Sequence, residues 1–295
     1  MDREGTRGAV LATVYAGIAF GVFWIPIRAL EDSGLGAAWA AVMFTGLPLL
    51  FILPMFWMRR GQWCRGNARG LMGGVLAGVA FGFYTLAFLH TDVVRAVLLF
   101  YLMPVWGFML GRLFLSEAIT PTRWAAVALG FAGIAVIFGA EGGFPMPRNA
   151  GDWLALASGM VWACASLLIL LDKRVSVGVH VANFFLVATL IGAVGVVIAG
   201  QAAAFDIAAL SGTLPWFVPV TLLLTLPTGI ATIYGPTRIN PGIVGLLFMA
   251  EVAVAAISAA LLSGEAFGMR ETLGVLLLIT AGLLVPLREM RGVQG

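Results

Sequence analysis

One lysine, two histidines and two cysteines are spread over 295 residues, and each scarcity closes a class of function. The single Lys173 has no Gly-x-x-x-x-Gly-Lys context, so there is no phosphate loop and no nucleotide hydrolysis by that route. Cys64 and Cys164 lie far apart and give neither a disulfide framework nor a thiolate metal set. No His/Cys/carboxylate cluster has metal-ligand spacing, and no Ser/His/Asp set converges at one position. The chain is therefore expected to hold no metal, to need no cofactor and not to be an enzyme. Charge is scarce as well, at 11% against 61% hydrophobic residues, and the mean hydropathy is +1.02. Soluble domains carry about 25% charged residues, so this composition is that of a polytopic membrane protein.

What fills the chain is apolar run after apolar run. A helix needs about 20 such residues to cross a bilayer, and ten runs qualify, at 8–30, 38–58, 70–89, 96–115, 122–140, 152–171, 181–199, 214–234, 241–262 and 269–287. Arg3 and Arg7 ahead of the first run resemble a signal peptide, but the run is too long for one and reads as a retained helix. If the N-terminus is cytoplasmic, thirteen of the seventeen basic residues fall on that side, and only Arg28, Arg95, Arg148 and Arg270 fall opposite. The positive-inside rule thus puts both termini in the cytoplasm. The sequence pI of 9.2 follows from this distribution and does not point to nucleic acid.

Residues 98–118 and 246–266 repeat one another at a constant offset of 148. Leu98, Leu99, Phe100, Leu113, Glu117 and Ala118 match Leu246, Leu247, Phe248, Leu261, Glu265 and Ala266. The copies are offset by five spans, an odd number, so the second copy runs the opposite way. The expected fold is all-α and integral to the membrane. Its ten transmembrane helices form two inverted five-helix repeats, 1–140 and 152–295, joined by an outer linker at 141–151. Inverted repeats are the architecture of secondary transporters, whose binding site lies near the midplane.

Depth then singles out residues. Of fourteen carboxylates only Glu251 lies at the centre of a span, where a charge is expensive and usually functional. It could bind an amino group or a proton, or be a protonated Glu held by a neighbouring helix. At the repeat offset Met103 is the partner of Glu251, and Tyr101 is the partner of Met249; each reads as cavity wall or as packing. Trp162 sits deeper than the interfacial belt, and its indole N–H needs a partner there. Trp24 and Tyr234 are further candidates, whereas Trp39, Trp57, Trp63, Trp153 and Trp216 read as interface anchors. Prolines inside spans remove a backbone donor, so Pro104 and Pro26 are candidate hinges or static kinks. His90, at an outer span end, reads either as a pH sensor or as a wet loop histidine. Glu117 and Glu265 read as carboxylates charging the next helix N-terminus. Gly70, Gly73, Gly74, Gly78 and Gly82 predict tight packing of the third span.

The five-span halves, Glu117 and Glu265 closing spans 4 and 9, Val161-Trp162-Ala163, and Phe83-Tyr84 with Ala87 carry a family resemblance. The chain resembles the EamA-type exporters of the drug/metabolite transporter superfamily. Tyr101-Leu102-Met103-Pro104 is similar to a Tyr-Leu-Trp-Pro element of bacterial aromatic amino-acid exporters, with Met103 where that element has Trp. The resemblance implies a single-chain exporter of amino acids or related metabolites in the bacterial inner membrane, with Tyr84 contributing to the cavity. The expected function is export of aromatic or other apolar amino acids by alternating access. A broad efflux protein for amphipathic cations is the alternative, since an aromatic wall with one carboxylate suits such ligands. The partners expected are a small-molecule substrate and membrane lipid, with no nucleic acid and no obligate protein partner.

Overall fold

Every regular element among the described residues of the computed structural model is helical. In hydrocarbon each backbone N–H and C=O must be answered within the protein, and a helix does this along its own length. The structure describes residues 3–58, 68–88, 90–138, 146–172, 174–202, 206–262 and 267–292. Glu265, Cys64, Trp63, Lys173, Arg59, Arg60, Arg65 and positions 141–145 of the expected linker lie outside the described residues.

The helices are α1 (Arg3–Val22), α2 (Trp24–Leu30), α3 (Ala37–Met58), α4 (Ala68–Ala87), α5 (Val93–Phe100), α6 (Met103–Phe114) and α7 (Pro121–Phe138). The second half continues with α8 (Ala150–Leu171), α9 (Val177–Ile198), α10 (Ile207–Val220), α11 (Leu226–Tyr234), α12 (Pro241–Phe248), α13 (Ala250–Leu262) and α14 (Met269–Gly292). Eight helical segments of the described residues are long and apolar enough to cross a membrane, against the ten expected. The two remaining runs fall on the shorter apolar helix Leu71–Ala87 and on α14, which carries charged residues at both ends. Large apolar side chains such as Leu113, Leu190, Leu223 and Leu261 point outward, the pattern of a helix bundle solvated by lipid. This is a multi-pass membrane protein.

At the centre, α4 is held between α8 and α9, and α1 lies along α11 to α13. The glycines of α4 permit its close approach to both neighbours. A Cβ on Gly73 would meet Ile169, and one on Gly74 would sit 2.6 Å from the His180 carbonyl oxygen. Gly78 and Gly82 similarly face Phe184, Val187 and Ile191 on α9. At the periphery α7 packs along α14.

Two segments are interrupted halfway, at equivalent places. Residues 93–114 break at Tyr101–Leu102, between α5 and α6, and residues 241–262 break at Met249, between α12 and α13. Position 249 minus 148 is 101, so the breaks coincide in the repeat register. Their causes differ. In the first segment Pro104 has no N–H to give the carbonyl of Phe100, four residues back. The ladder there tightens, with Leu102 N–H donating to Leu99 O at 3.3 Å and Val105 N–H to Leu102 O at 3.0 Å. The second segment has no proline at its break; its one proline, Pro241, opens α12. Instead Val252 N–H turns to Met249 O at 3.2 Å, and the Phe248 carbonyl accepts from the Tyr101 hydroxyl at 2.9 Å.

The broken segments cross at glycine. A Cβ on Gly107 would stand 2.6 Å from the Pro241 carbonyl carbon and 2.7 Å from Gly242 Cα, and backbone atoms cannot move aside as a flexible side chain can. Gly107→Val is expected to cost about 1–3 kcal/mol or more by overpacking. The check is a lower melting temperature of the purified protein in detergent; an unchanged value would mean the crossing relaxes freely.

Candidate functional site

The residues just before both breaks line one cavity, part of it continuous with the exterior. Phe20 of α1, Phe81 and Tyr84 of α4, and Phe184 of α9 form much of its wall. Phe100 at the end of α5 and Phe248 at the end of α12 add to it, and these two are partners in the 148-residue register. Trp162 of α8, Thr232 of α11 and Glu251 of α13 complete the lining. The wall is rigid because its rings pack on one another. Tyr84 stacks on Phe100 with centroids 4.2 Å apart, and Phe81 meets Phe184 edge-on at 5.4 Å. Phe248 touches Phe20 at 5.9 Å and Trp162 at 5.6 Å.

The polar groups are few. Glu251 Oε2 accepts from the hydroxyl of Tyr101 at 2.8 Å, and that hydroxyl also reaches the Phe248 carbonyl. Tyr101 is fully buried, so it stands behind the wall and joins the two breaks to the carboxyl group. Trp162 Nε1 and Thr232 Oγ1 are buried without a hydrogen-bond partner among the described residues. Among the described residues, no basic side chain lines the cavity.

Of the residues expected at a midplane site, Tyr84, Trp162 and Glu251 line the cavity, and Tyr101 touches it through Glu251. Met249 and Met103 are buried in the core and do not line it; the Met249 sulfur lies against Gly130 of α7. Trp24 is also off the lining, because its Nε1 donates to Ser258 Oγ at 2.9 Å and ties α2 to α13. Pro104 packs on Gly245 at the second position of α6, so it opens the half-helix that follows the first break. Pro26 is buried in α2, three residues after the interruption that separates α1 from α2. His90 is exposed in a turn, its backbone N–H on Ala87 O at 3.0 Å, and is not part of the cavity lining. Tyr234 lies by Gly8 of α1, likewise away from it.

Three features were not anticipated. The phenylalanine wall is one, although the Phe100/Phe248 identity in the repeat was a visible signal. Another is Asp152, which lies near a span end in the sequence and is fully buried. It pairs with Arg95 and accepts from Thr91 Oγ1 and from the Arg148 N–H at 2.9 Å, which ties α5 to α8. The third is Glu117. It pairs with Arg123 in the first turn of α7 at 2.7 Å, near the helix start expected for it. It also accepts from Asn240 Nδ2 at 2.8 Å, and so reaches the start of α12. His180 is buried in α9 with neither ring nitrogen partnered among the described residues.

The same fold occurs in a protein of known crystal structure, with a TM-score of 0.69 at 18% identity over 97% of this chain and 98% of that one. A riboflavin transporter of Rhizobium johnstonii is 30% identical over 179 residues, which cover 56% of this chain and 55% of the relative. The chain thus spans about half the length of the curated relative it matches. Residues 7–139, which carry Tyr84, Tyr101 and the first break, match the EamA-like transporter family.

Proposed function

We propose that this chain is an EamA-type secondary transporter that moves a small, flat aromatic solute across the membrane by alternating access. In this reading the helices form ten spans in two inverted repeats, 1–140 and 152–295, with both termini cytoplasmic and the membrane that of a bacterial interior. The observation that carries it is the aromatic cavity at the junction of two helices broken in equivalent positions. Discontinuous helices that meet at mid-depth are how transporters of inverted-repeat type build their sites. Aromatic walls offer stacking area to a ring at low entropic cost, and the riboflavin named for the relative is such a ring.

Export of aromatic amino acids is the second reading, and Glu251 favours it, because a carboxylate at the lining suits an ammonium group. Against it, the lining holds no cation for the α-carboxylate of the same solute. The test is purified protein in liposomes loaded with labelled riboflavin, tryptophan, phenylalanine or an organic cation. Saturable movement of riboflavin, competed by excess unlabelled riboflavin, is the expected result. Saturable tryptophan movement alone would favour the second reading, and saturable cation movement alone would favour broad efflux. Equal leakage of all four would end every transporter reading.

A further inference from the structure

The unpartnered polar atoms of the cavity carry a statement about the solute itself, one that rests on the reading of this cavity as a solute site. We infer that Trp162 and Thr232 are specificity-determining residues, which donate hydrogen bonds to acceptor atoms, ring carbonyls above all, of an uncharged fused-ring solute. Trp162 is 5% exposed and Thr232 1% exposed, both line the cavity, and neither Nε1 nor Oγ1 has a partner among the described residues. A buried polar atom left unanswered is costly, so an unanswered donor on a residue that lines a cavity marks where a ligand atom belongs. Two positions on separate helices, α8 and α11, do this at once. Indole N–H can only donate, which fixes the sign of the group it reads as an acceptor. The indole packs on Phe248 with ring centroids 5.6 Å apart.

The remaining chemistry narrows the class. Among the described residues, Glu251 is the one carboxyl group of the lining, and no Lys, Arg or His joins it there. An anionic solute would meet that carboxyl and no cation. A neutral ring with carbonyl acceptors meets two donors, an aromatic wall and a carboxyl that can accept from a ring N–H. Sites built to hydrogen-bond a ligand group reject analogues that lack it far more strongly than apolar pockets do.

The test uses the full chain in nanodiscs, with lumichrome as a neutral, flat, dicarbonyl probe and proflavine as a flat probe without carbonyls. Trp162→Phe keeps a ring and removes the N–H; Thr232→Val keeps the shape and removes the hydroxyl. Each is expected to weaken lumichrome binding about tenfold and to leave proflavine binding unchanged. Equal lumichrome affinity in wild type and both variants overturns the inference. So does a parallel loss for both probes, which would mean a structural role. Failure of the wild type to bind lumichrome overturns it too, even where the liposome assay shows carriage of another aromatic solute. That combination separates failure of the inference from failure of the transporter reading.

Discussion

Glu251→Gln is expected to lower the transport kcat/KM about ten- to a hundredfold while leaving the yield of folded protein unchanged. Glutamine keeps the length of the side chain. Its amide can still donate to or accept from Tyr101 Oη, which now sits 2.8 Å from Glu251 Oε2. The link between the two breaks therefore survives in geometry. What disappears is the ability to carry a charge or exchange a proton beside the solute. Hydrogen bonds to charged groups contribute about 1.5–3 kcal/mol, and each 1.4 kcal/mol is about a factor of ten, which sets the expected range. Uptake into liposomes at several solute concentrations measures it. Transport equal to wild type at every pH would remove Glu251 from the mechanism and leave it a buried acid held by Tyr101.

The second large effect concerns stability. Asp152→Ala should destabilise the fold by about 3 kcal/mol, the low end of what breaking a buried ion pair costs. The low end applies because the side chain of Arg95 retains 15% exposure while that of Asp152 has none. The alanine variant strands more than the guanidinium. Thr91 Oγ1 and the Arg148 N–H both lose their acceptor, although Arg95 still donates to Met146 O at 2.8 Å. Asp152→Asn keeps an acceptor oxygen and should fall between the two. Thermal unfolding in detergent reads the order wild type, Asn, Ala. An alanine variant that melts with wild type would show that the network holds nothing together.

How far the sequence foretold all this depends on which physical quantity each feature rests on. Hydrocarbon length is a property of the chain alone, so helices appeared where the apolar runs lie. Depth is nearly so, which is why Glu251 and Trp162 could be picked out, and why the 148-residue register led to Tyr101 and Met249. Rotation about the helix axis is not a property of one strand of sequence in an apolar environment. With apolar residues all round, no amphipathic stripe tells which side faces a neighbour. Met103 and Met249 lie at the two breaks but are buried in the core, and Trp24 spends its N–H on Ser258. The same blindness hid the wall. In a chain with twenty phenylalanines, nothing distinguishes Phe20, Phe81 or Phe184 until the helices are packed. The buried Asp152 gave no sign of itself for a related reason. A position near a span end looks wet, and only the approach of Arg95 and the turn at Thr91 makes it dry.

The paired interruptions also set a mechanical scale. From its start at Met103 to Phe114, α6 has 12 residues and is about 18 Å long; the 13 residues of α13 make a rod of about 20 Å. Each is a lever pivoted at the cavity. A rotation of only about 10° at the pivot carries the far end through about 3 Å, close to the thickness of one aromatic ring. A slot of that width would pass a flat molecule edge-on and stop a bulky one.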